Sequence, residues 1–518
     1  MHHDLSNGVV ATASSRVPSW RQHLGILLPI LLVYLALACY RIDYQSLWLD
    51  EVFSIRDATS LERGWKKGQG PLSFIILHFW MSLGASEAVL RSLSVFMGFV
   101  AVCLFYVMSL TLHSQRATIF GTLLFATSPF LIWYSQEVRY INLMLAMALF
   151  AMYAFWQCTT HQSQRWWLIY LVSSVLAVFS FVVTIFLSVV QGLYLLSSPS
   201  RRALLRKWLL CQMLVAILFV CWALATGNHF QPLLTEATDN GQQTLSIDPK
   251  RLSSGTSKAF TPMMLPYTFF ALSAGYSQGP SVHELHISRS LPTLLQHAPT
   301  LVSLGLLFGG VFLVGLVAAW RTPDIGKFLI LWVGIPIAGV FAISAATSLA
   351  YNVRYVSMVL PAYVLILAMG IAQCRRPLVQ GILLVAILCS HGISLANYYF
   401  DPHYARADAR QAVRYLESVV QPQDVLVMVG APDVLRYYAR GNLPIVALGN
   451  HLRGRASERL QQAANHAERV WIVGIRYWGE NLSESVETVL DDAYALVEHT
   501  QFPGVDIYAY QLSHAERK

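Results

Sequence analysis

Apolar runs long enough to cross a bilayer recur through most of this chain, and they decide its solvent before any other feature does. They fall at about 24–40, 89–112, 117–134, 141–157, 166–182, 184–198, 208–226, 298–318, 328–347, 355–373 and 378–396. A tilted spanning helix needs ~17–25 such residues. Only 12% of the 518 residues are charged, and 55% are hydrophobic. A soluble domain carries about 25% charged residues, so one soluble core cannot absorb this much apolar surface. The expected fold class is therefore a polytopic α-helical membrane protein of about eleven spans.

Charge placement orients those spans. With the short run 71–84 left outside the membrane as an interfacial helix, one set of connections holds Arg116, Arg165, Arg201, Arg202, Arg206, Lys207, Arg321, Lys327, Arg375 and Arg376. The opposite short connections hold only Arg139 and Arg354. Cytoplasmic loops concentrate Lys and Arg, which puts the N-terminus inside and the C-terminus outside an inner (cytoplasmic) membrane. Letting 71–84 span would invert that asymmetry. The net charge of +8 is thus explained by loops facing the cytoplasm and calls for no nucleic acid. The 24–40 run is read as an uncleaved first span, although Ala-Leu-Ala-Cys39 faintly resembles a cleavage site. All seven cysteines lie in or beside apolar runs, which argues against a disulfide framework or a thiolate metal site.

Two units are expected: a membrane module over 1–396, with outer loops 41–88 and 227–297, and an outer unit over 397–518. In the second, a polar helix at 405–419 precedes the buried-strand pattern Asp424-Val-Leu-Val-Met-Val429. A helix near 432–440 follows, then strands near 444–448 and 470–474 and a hairpin-like pair near 495–512. That alternation predicts a small α/β domain. It carries no glycine-rich phosphate loop, so it reads as a scaffold or a lid facing an acceptor.

Polar groups inside a bilayer are costly and mark function, yet the span centres hold little beyond Gln191, His391 and some hydroxyls. A flippase or transporter would keep ionisable groups there. Here they gather at the outer mouth instead: Asp50, Glu51, Arg91, Glu137, Arg139 and Arg354. Adjacent carboxylates near lipid can separate in pKa, so one of Asp50 and Glu51 can act as a base while the other holds a hydrogen bond or a divalent cation. A plain helix N-cap at Asp50 is the competing reading. Arg139 and Arg354 suit bidentate clamping of a phosphate, with snorkelling to headgroups as the alternative. Glu137, Tyr140 and Tyr355 are candidate acceptor contacts, and Arg91 is expected to pair with a first-loop carboxylate. His283-Glu284-Leu285-His286 has the wrong spacing for a zinc helix and sits after a glycine-rich segment suited to a mobile lid, so His283 and Glu284 are lid candidates and no metal site is assigned.

These residues together resemble the GT-C superfamily of membrane glycosyltransferases, in particular the branch of protein O-mannosyltransferases and the lipid A aminoarabinose transferase. The matching features are Trp48-Leu49-Asp50-Glu51, Gly70-Pro71-Leu72, Glu87 with Arg91-Ser92, Ser128-Pro129, Ser135-Gln136-Glu137-Val138-Arg139-Tyr140 and Arg354-Tyr355 before Pro361. The resemblance covers roughly 20–400. It implies sugar transfer from a polyprenyl-phosphate donor to an acceptor hydroxyl on the outer face, by inverting displacement. It also implies that Asp50 is the base with Glu51 as its partner, and that Arg139 contacts the lipid phosphate or the acidic pair. The chain departs from the family pattern at Gly70, where a proline is common, in lacking a lysine ahead of it, and at Val182-Val183-Thr184, where many relatives carry a histidine. A lipid-linked-sugar flippase and a non-catalytic cell-envelope assembly protein are the rival expectations; the latter requires Asp50, Glu51 and Arg139 to lie apart.

Overall fold

The computed structural model describes residues 20–68, 70–227, 263–287, 291–347, 351–430, 432–441, 443, 445–447, 460, 462, 467–475 and 494–512. Among them, eight helices are long and apolar enough to cross a membrane: Arg21–Cys39, Glu87–Leu112, Ile141–His161, Leu205–Ala225, Ala298–Arg321, Pro323–Ala346, Val353–Gln373 and Pro377–Phe400. Gln115–Ala126 and Pro129–Ser135 pass the same test together, bent by 46°. The bend has a local cause. Pro129 has no N–H to continue the ladder, and the Ser128 side chain caps the second helix by accepting from the Leu131 amide. Helices also occupy the remaining two expected runs, but Gln164–Ser180 has 17 residues, and Val182–Leu196 is another of the shorter apolar helices. The chain is a multi-pass membrane protein.

The bundle centre is packed from every side by Phe105, Phe125, Phe130, Phe155, Phe328 and Trp332, all buried. Leucines on the outer faces, such as Leu28, Leu306 and Leu378, stay exposed, as faces solvated by lipid should.

Between the first two long helices lie three short ones: Leu49–Ala58, Leu61–Trp65 and Pro71–Trp80. Gly70 starts the last of them at φ 155°, where a Cβ would stand 2.3 Å from the Ser180 carbonyl oxygen. Only glycine allows the loop to approach the neighbouring helix end so closely.

The tail forms a mixed sheet: β1 (Val425–Gly430), β2 (Ile445–Ala447), β3 (Arg469–Ile475), β4 (Tyr494–Phe502) and β5 (Val505–Leu512), in the order β2-β1-β3-β5-β4. β1 pairs parallel with β2 and β3, while β5 runs antiparallel to β3 and β4. Helix Ala409–Val419 is capped by Asp408, which accepts from the Gln411 amide, and buries Ala409, Ala412, Val413 and Leu416. These side chains share one hydrophobic cluster with Leu47, Val52, Ile55, Leu90 and Val138 of the membrane module. The C-terminal α/β unit is therefore seated on the loop between the first two long helices through continuous apolar packing.

Candidate functional site

Helix Leu49–Ala58 opens on Trp48, whose amide donates to Glu51 Oε2 at 3.2 Å. Consecutive helical side chains diverge by ~100°, so Asp50 and Glu51 meet different surroundings. Glu51 points inward and is fully buried. Arg91 reaches both of its oxygens at 3.0 Å, the Val138 amide donates to Oε1 at 2.9 Å, and Arg406 lies 3.5 Å from Oε2. Burial alone would push the Glu51 carboxyl up. Arg91 and Arg406, with the hydrogen bonds from Arg91 and Val138, hold it below the ordinary glutamate range instead.

Asp50 points the other way, and its side chain keeps 24% exposure. Its Oδ2 lies 2.5 Å from Arg354 Nη1 and 3.5 Å from Arg139 Nη2. Arg139 Nη1 also donates to the Asp50 carbonyl and to Ser54 Oγ, at 3.3 and 3.4 Å. Two guanidiniums from distant parts of the chain thus converge on one carboxylate oxygen.

Three stacked rings carry those arginines. Tyr140 and Tyr355 both stack on Phe181, with centroids 4.4 and 5.8 Å apart. Arg139 lies 5.2 Å over Tyr140, and Arg354 lies 5.4 Å over Tyr355. Tyr140 and Tyr355 therefore act as shelves beneath the cations. Arg139 Nε and Arg354 Nε are both buried and have no hydrogen-bond acceptor among the described residues. An unpaired buried donor is expensive, and the Nε groups of Arg406 and Arg410 share this state, so it does not by itself distinguish the two arginines at Asp50.

The turn bearing Arg139 is pinned at several points. Gln136 donates to the Ala38 and Tyr40 carbonyls and accepts from the Tyr398 hydroxyl, while Ser94 Oγ donates to the Glu137 carbonyl. Glu137 itself is buried; its Oε1 accepts from Trp133 Nε1 at 2.8 Å and Arg406 Nη2 at 2.9 Å. Burial pushes this carboxyl above its ordinary value, against the pull of Arg406. The expected acceptor-contact role for Glu137 therefore meets a side chain turned into the protein.

Beside Arg139 lies a shallow cleft with a cavity volume of only about 20 Å³. Its walls are mostly apolar, including Phe74, Ile76, Leu77, Leu90, Leu93 and Met97, with Ser54, Ser73, Ser94 and Arg139 as the polar lining.

Glu284 stands elsewhere. It accepts from the Ser281 amide at 2.6 Å and pairs with His403 and His297 at 3.2 and 3.5 Å. Among the described residues no hydrogen bond or ion pair links it to Asp50. The His283 side chain lies outside the described residues. Among the described residues no three His, Cys, Asp or Glu side chains are grouped to hold a metal ion. Arg406 and Arg410 escaped sequence reasoning. Arg410 lies 2.5 Å from Glu87 Oε2. Their only signal was a pair of arginines four apart just beyond the last span, a pattern shared with headgroup anchors.

Comparisons with known proteins agree with this architecture. A family described as dolichyl-phosphate-mannose-protein mannosyltransferase matches residues 68–224. No curated protein matches the sequence. Among solved structures, ArnT from Cupriavidus metallidurans is similar in the apo state and bound to undecaprenyl phosphate. Each has 11% identity, covers 94% of this chain and 98% of that one, and gives a TM-score of 0.57. The archaeal oligosaccharyltransferase AglB from Archaeoglobus fulgidus, in complex with an inhibitory peptide and a dolichol-phosphate, has 12% identity, 96% and 75% coverage and a TM-score of 0.52. The fold is that of the GT-C membrane glycosyltransferases.

Proposed function

We propose that this chain transfers a sugar from a polyprenyl-phosphate donor to an acceptor hydroxyl at the outer face of the inner membrane, with its C-terminus outside. The observation that carries the reading is the convergence of the Arg139 and Arg354 guanidiniums on the one partly exposed carboxylate oxygen of Asp50. A phosphate brings enough acceptor oxygens to satisfy both donors, and charge-assisted bonds of this kind are short and strong. The apolar side chains beside Arg139, Phe74, Leu77, Leu90 and Met97 among them, offer a surface against which the first part of a polyprenyl chain would pack, its remainder staying in the bilayer. The solved relatives bound to undecaprenyl phosphate and dolichol-phosphate support the same donor class.

In this reading Asp50 accepts the proton of the acceptor hydroxyl. The oxygen attacks the anomeric carbon, the carbon–oxygen bond to phosphate breaks, and polyprenyl phosphate leaves with its electron pair. Arg139 and Arg354 neutralise the charge that develops on it. Glu51 does not share the base role, because both its oxygens are engaged by Arg91 and by the Val138 and Trp48 amides; it fixes the helix that presents Asp50. The ion-paired cluster holds four carboxylates (Asp50, Glu51, Glu87, Glu137) and five guanidiniums (Arg91, Arg139, Arg354, Arg406, Arg410). That one-charge excess favours an anionic ligand.

The test is binding of undecaprenyl phosphate to full-length protein. Arg139→Gln and Arg354→Gln should each weaken it by roughly 10–100-fold, the equivalent of the ~1.5–3 kcal/mol of a charge-assisted bond. Unchanged affinity in both variants would reduce the arginines to headgroup anchors.

A further inference from the structure

Arg406 lies in the connection between the last long helix, Pro377–Phe400, and the first helix of the outer unit, Ala409–Val419. Its side chain is 3% exposed and sits between two buried carboxylates. Nη2 is 2.9 Å from Glu137 Oε1, and Nη1 is 3.5 Å from Glu51 Oε2. Nη1 also donates to the Gln136 carbonyl at 3.3 Å, and the guanidinium lies 4.9 Å over the Trp133 ring. Glu51 is the immediate neighbour of Asp50, and Glu137 is two residues before Arg139. One cation from the tail thus ties together the two segments that carry the proposed base and a proposed phosphate ligand.

Neutralising Glu51 does not require this cation, since Arg91 already engages both Glu51 oxygens. Glu137 is different. Arg406 is the one side chain recorded in an ion pair with it among the described residues, and its Oε2 has no partner there. The C-terminal α/β unit and the connection leading to it are fastened at further points. Ser46 Oγ donates to Asp408 Oδ1 at 2.7 Å, the Leu47 amide donates to the Tyr438 hydroxyl at 2.6 Å, and Tyr438 donates to Glu87 Oε1 at 2.8 Å. All of them grip the stretch leading into the Asp50 helix or the start of the helix that carries Arg91.

Resting on the function proposed above, we infer that Arg406 is a positioning residue for the transfer reaction: through Glu51 and Glu137 it sets the placement of Asp50 against Arg139, making the outer α/β unit part of the active site. A misplacement of ~1 Å at a reacting centre can cost 10²-fold in rate, so a fully buried bridge between the two segments has leverage that no surface contact has. Loss of the bridge also leaves Glu137 facing Glu51, Asp50 and Arg139, with the Trp133 indole as donor. Burial and the two like charges then favour its neutral form.

The experiment uses full-length protein in nanodiscs and compares Arg406→Gln, Arg406→Lys and Arg406→Met. The last fills the volume beside Trp133 and tolerates a protonated Glu137, so it stands in if the glutamine variant fails to fold. Two readouts are taken: kcat and KM with a polyprenyl-phosphate sugar, and affinity for undecaprenyl phosphate alone. The uncharged variants should lose ~10–100-fold in kcat and only about 3–10-fold in lipid affinity, with the acid limb of the kcat profile moved to higher pH. Lysine should restore most of both. Wild-type kcat, pH profile and lipid affinity in a folded uncharged variant would overturn the inference. Should the wild type bind the lipid yet transfer no sugar, the proposed function alone fails. The affinity arm then still decides on Arg406: a loss that lysine restores supports it, and unchanged affinity overturns it.

Discussion

Replacing Asp50 by asparagine separates a catalytic carboxylate from a structural one, because the two roles predict opposite effects on donor binding. Asparagine keeps the size of the side chain and one oxygen facing Arg354 Nη1, now 2.5 Å from Oδ2. The base is lost, so turnover should fall by roughly 10²–10⁴-fold. Two effects then compete in binding. Removing a negative charge ~5 Å from the donor phosphate relieves repulsion worth at most about 3 kcal/mol at an effective dielectric near 20. Loosening Arg139 and Arg354 gives back about 1.5–3 kcal/mol, the worth of the charged hydrogen bond that held them. The balance is an affinity for undecaprenyl phosphate between unchanged and about tenfold tighter. Turnover of a radiolabelled lipid-linked sugar and lipid binding would be measured on the same purified, folded variant. Turnover near wild type would remove Asp50 as the base. A turnover loss matched by an equal loss of affinity would make it a strut for the arginines.

Glu51→Gln should act on the fold instead, costing about 3–5 kcal/mol because it strips the buried Arg91 of its counter-charge; the midpoint of thermal unfolding in detergent checks this. Since the Glu51 carboxyl is held below its ordinary value, its contribution is present above the unfolded value of about 4.3 and is lost only as pH falls through the lower folded value. Wild-type unfolding temperature should therefore show no Glu51-dependent loss between pH 7 and 5; a difference between wild type and Glu51→Gln that vanishes across that range would contradict the sign. Gly70→Ala should lower the unfolding temperature, because its Cβ would stand 2.3 Å from the Ser180 carbonyl at a φ that only glycine tolerates easily; an alanine variant as stable as wild type would show that the loop has room to shift.

What could be read from the sequence follows the range of the interactions involved. Apolar run length and the strand pattern 424–429 are local signals, and the corresponding helices and β1 lie where they were expected. The expected pairing of Arg91 with a first-loop carboxylate is present as its contact with Glu51. Asp50, Arg139 and Arg354 could be nominated together because they share a side of the membrane, and depth is itself written in the hydropathy pattern. The division of labour between Asp50 and Glu51 was illegible: it depends on which way a helix is turned about its axis, and an adjacent pair looks symmetric in a sequence. Arg406 was out of reach for a related reason. Its meaning comes from carboxylates 355 and 269 residues away in the chain, and nothing local separates it from an arginine facing lipid headgroups. The lid expected at His283-Glu284 was inferred from composition, which says nothing of the histidines at 297 and 403 that Glu284 meets.

The clustering of so many charges in a membrane protein is what the proposed function would require. Each carboxylate buried at the lipid boundary would be ruinous alone, and each is matched by a guanidinium, which keeps its charge at any relevant pH. Arg91 and Arg406 face inward onto the buried Glu51 and Glu137, so that half of the cluster is a fixed frame. Arg139 and Arg354 face outward onto one partly exposed oxygen. A polyprenyl-phosphate sugar entering there would find a phosphate clamp and a base already aligned on a helix that the inner frame prevents from turning. Rigid framing of a half-open ion cluster lets charge be stabilised as it develops without rearrangement during the reaction. On that logic the inner pairs are as necessary to turnover as the outer ones, although no substrate atom touches them.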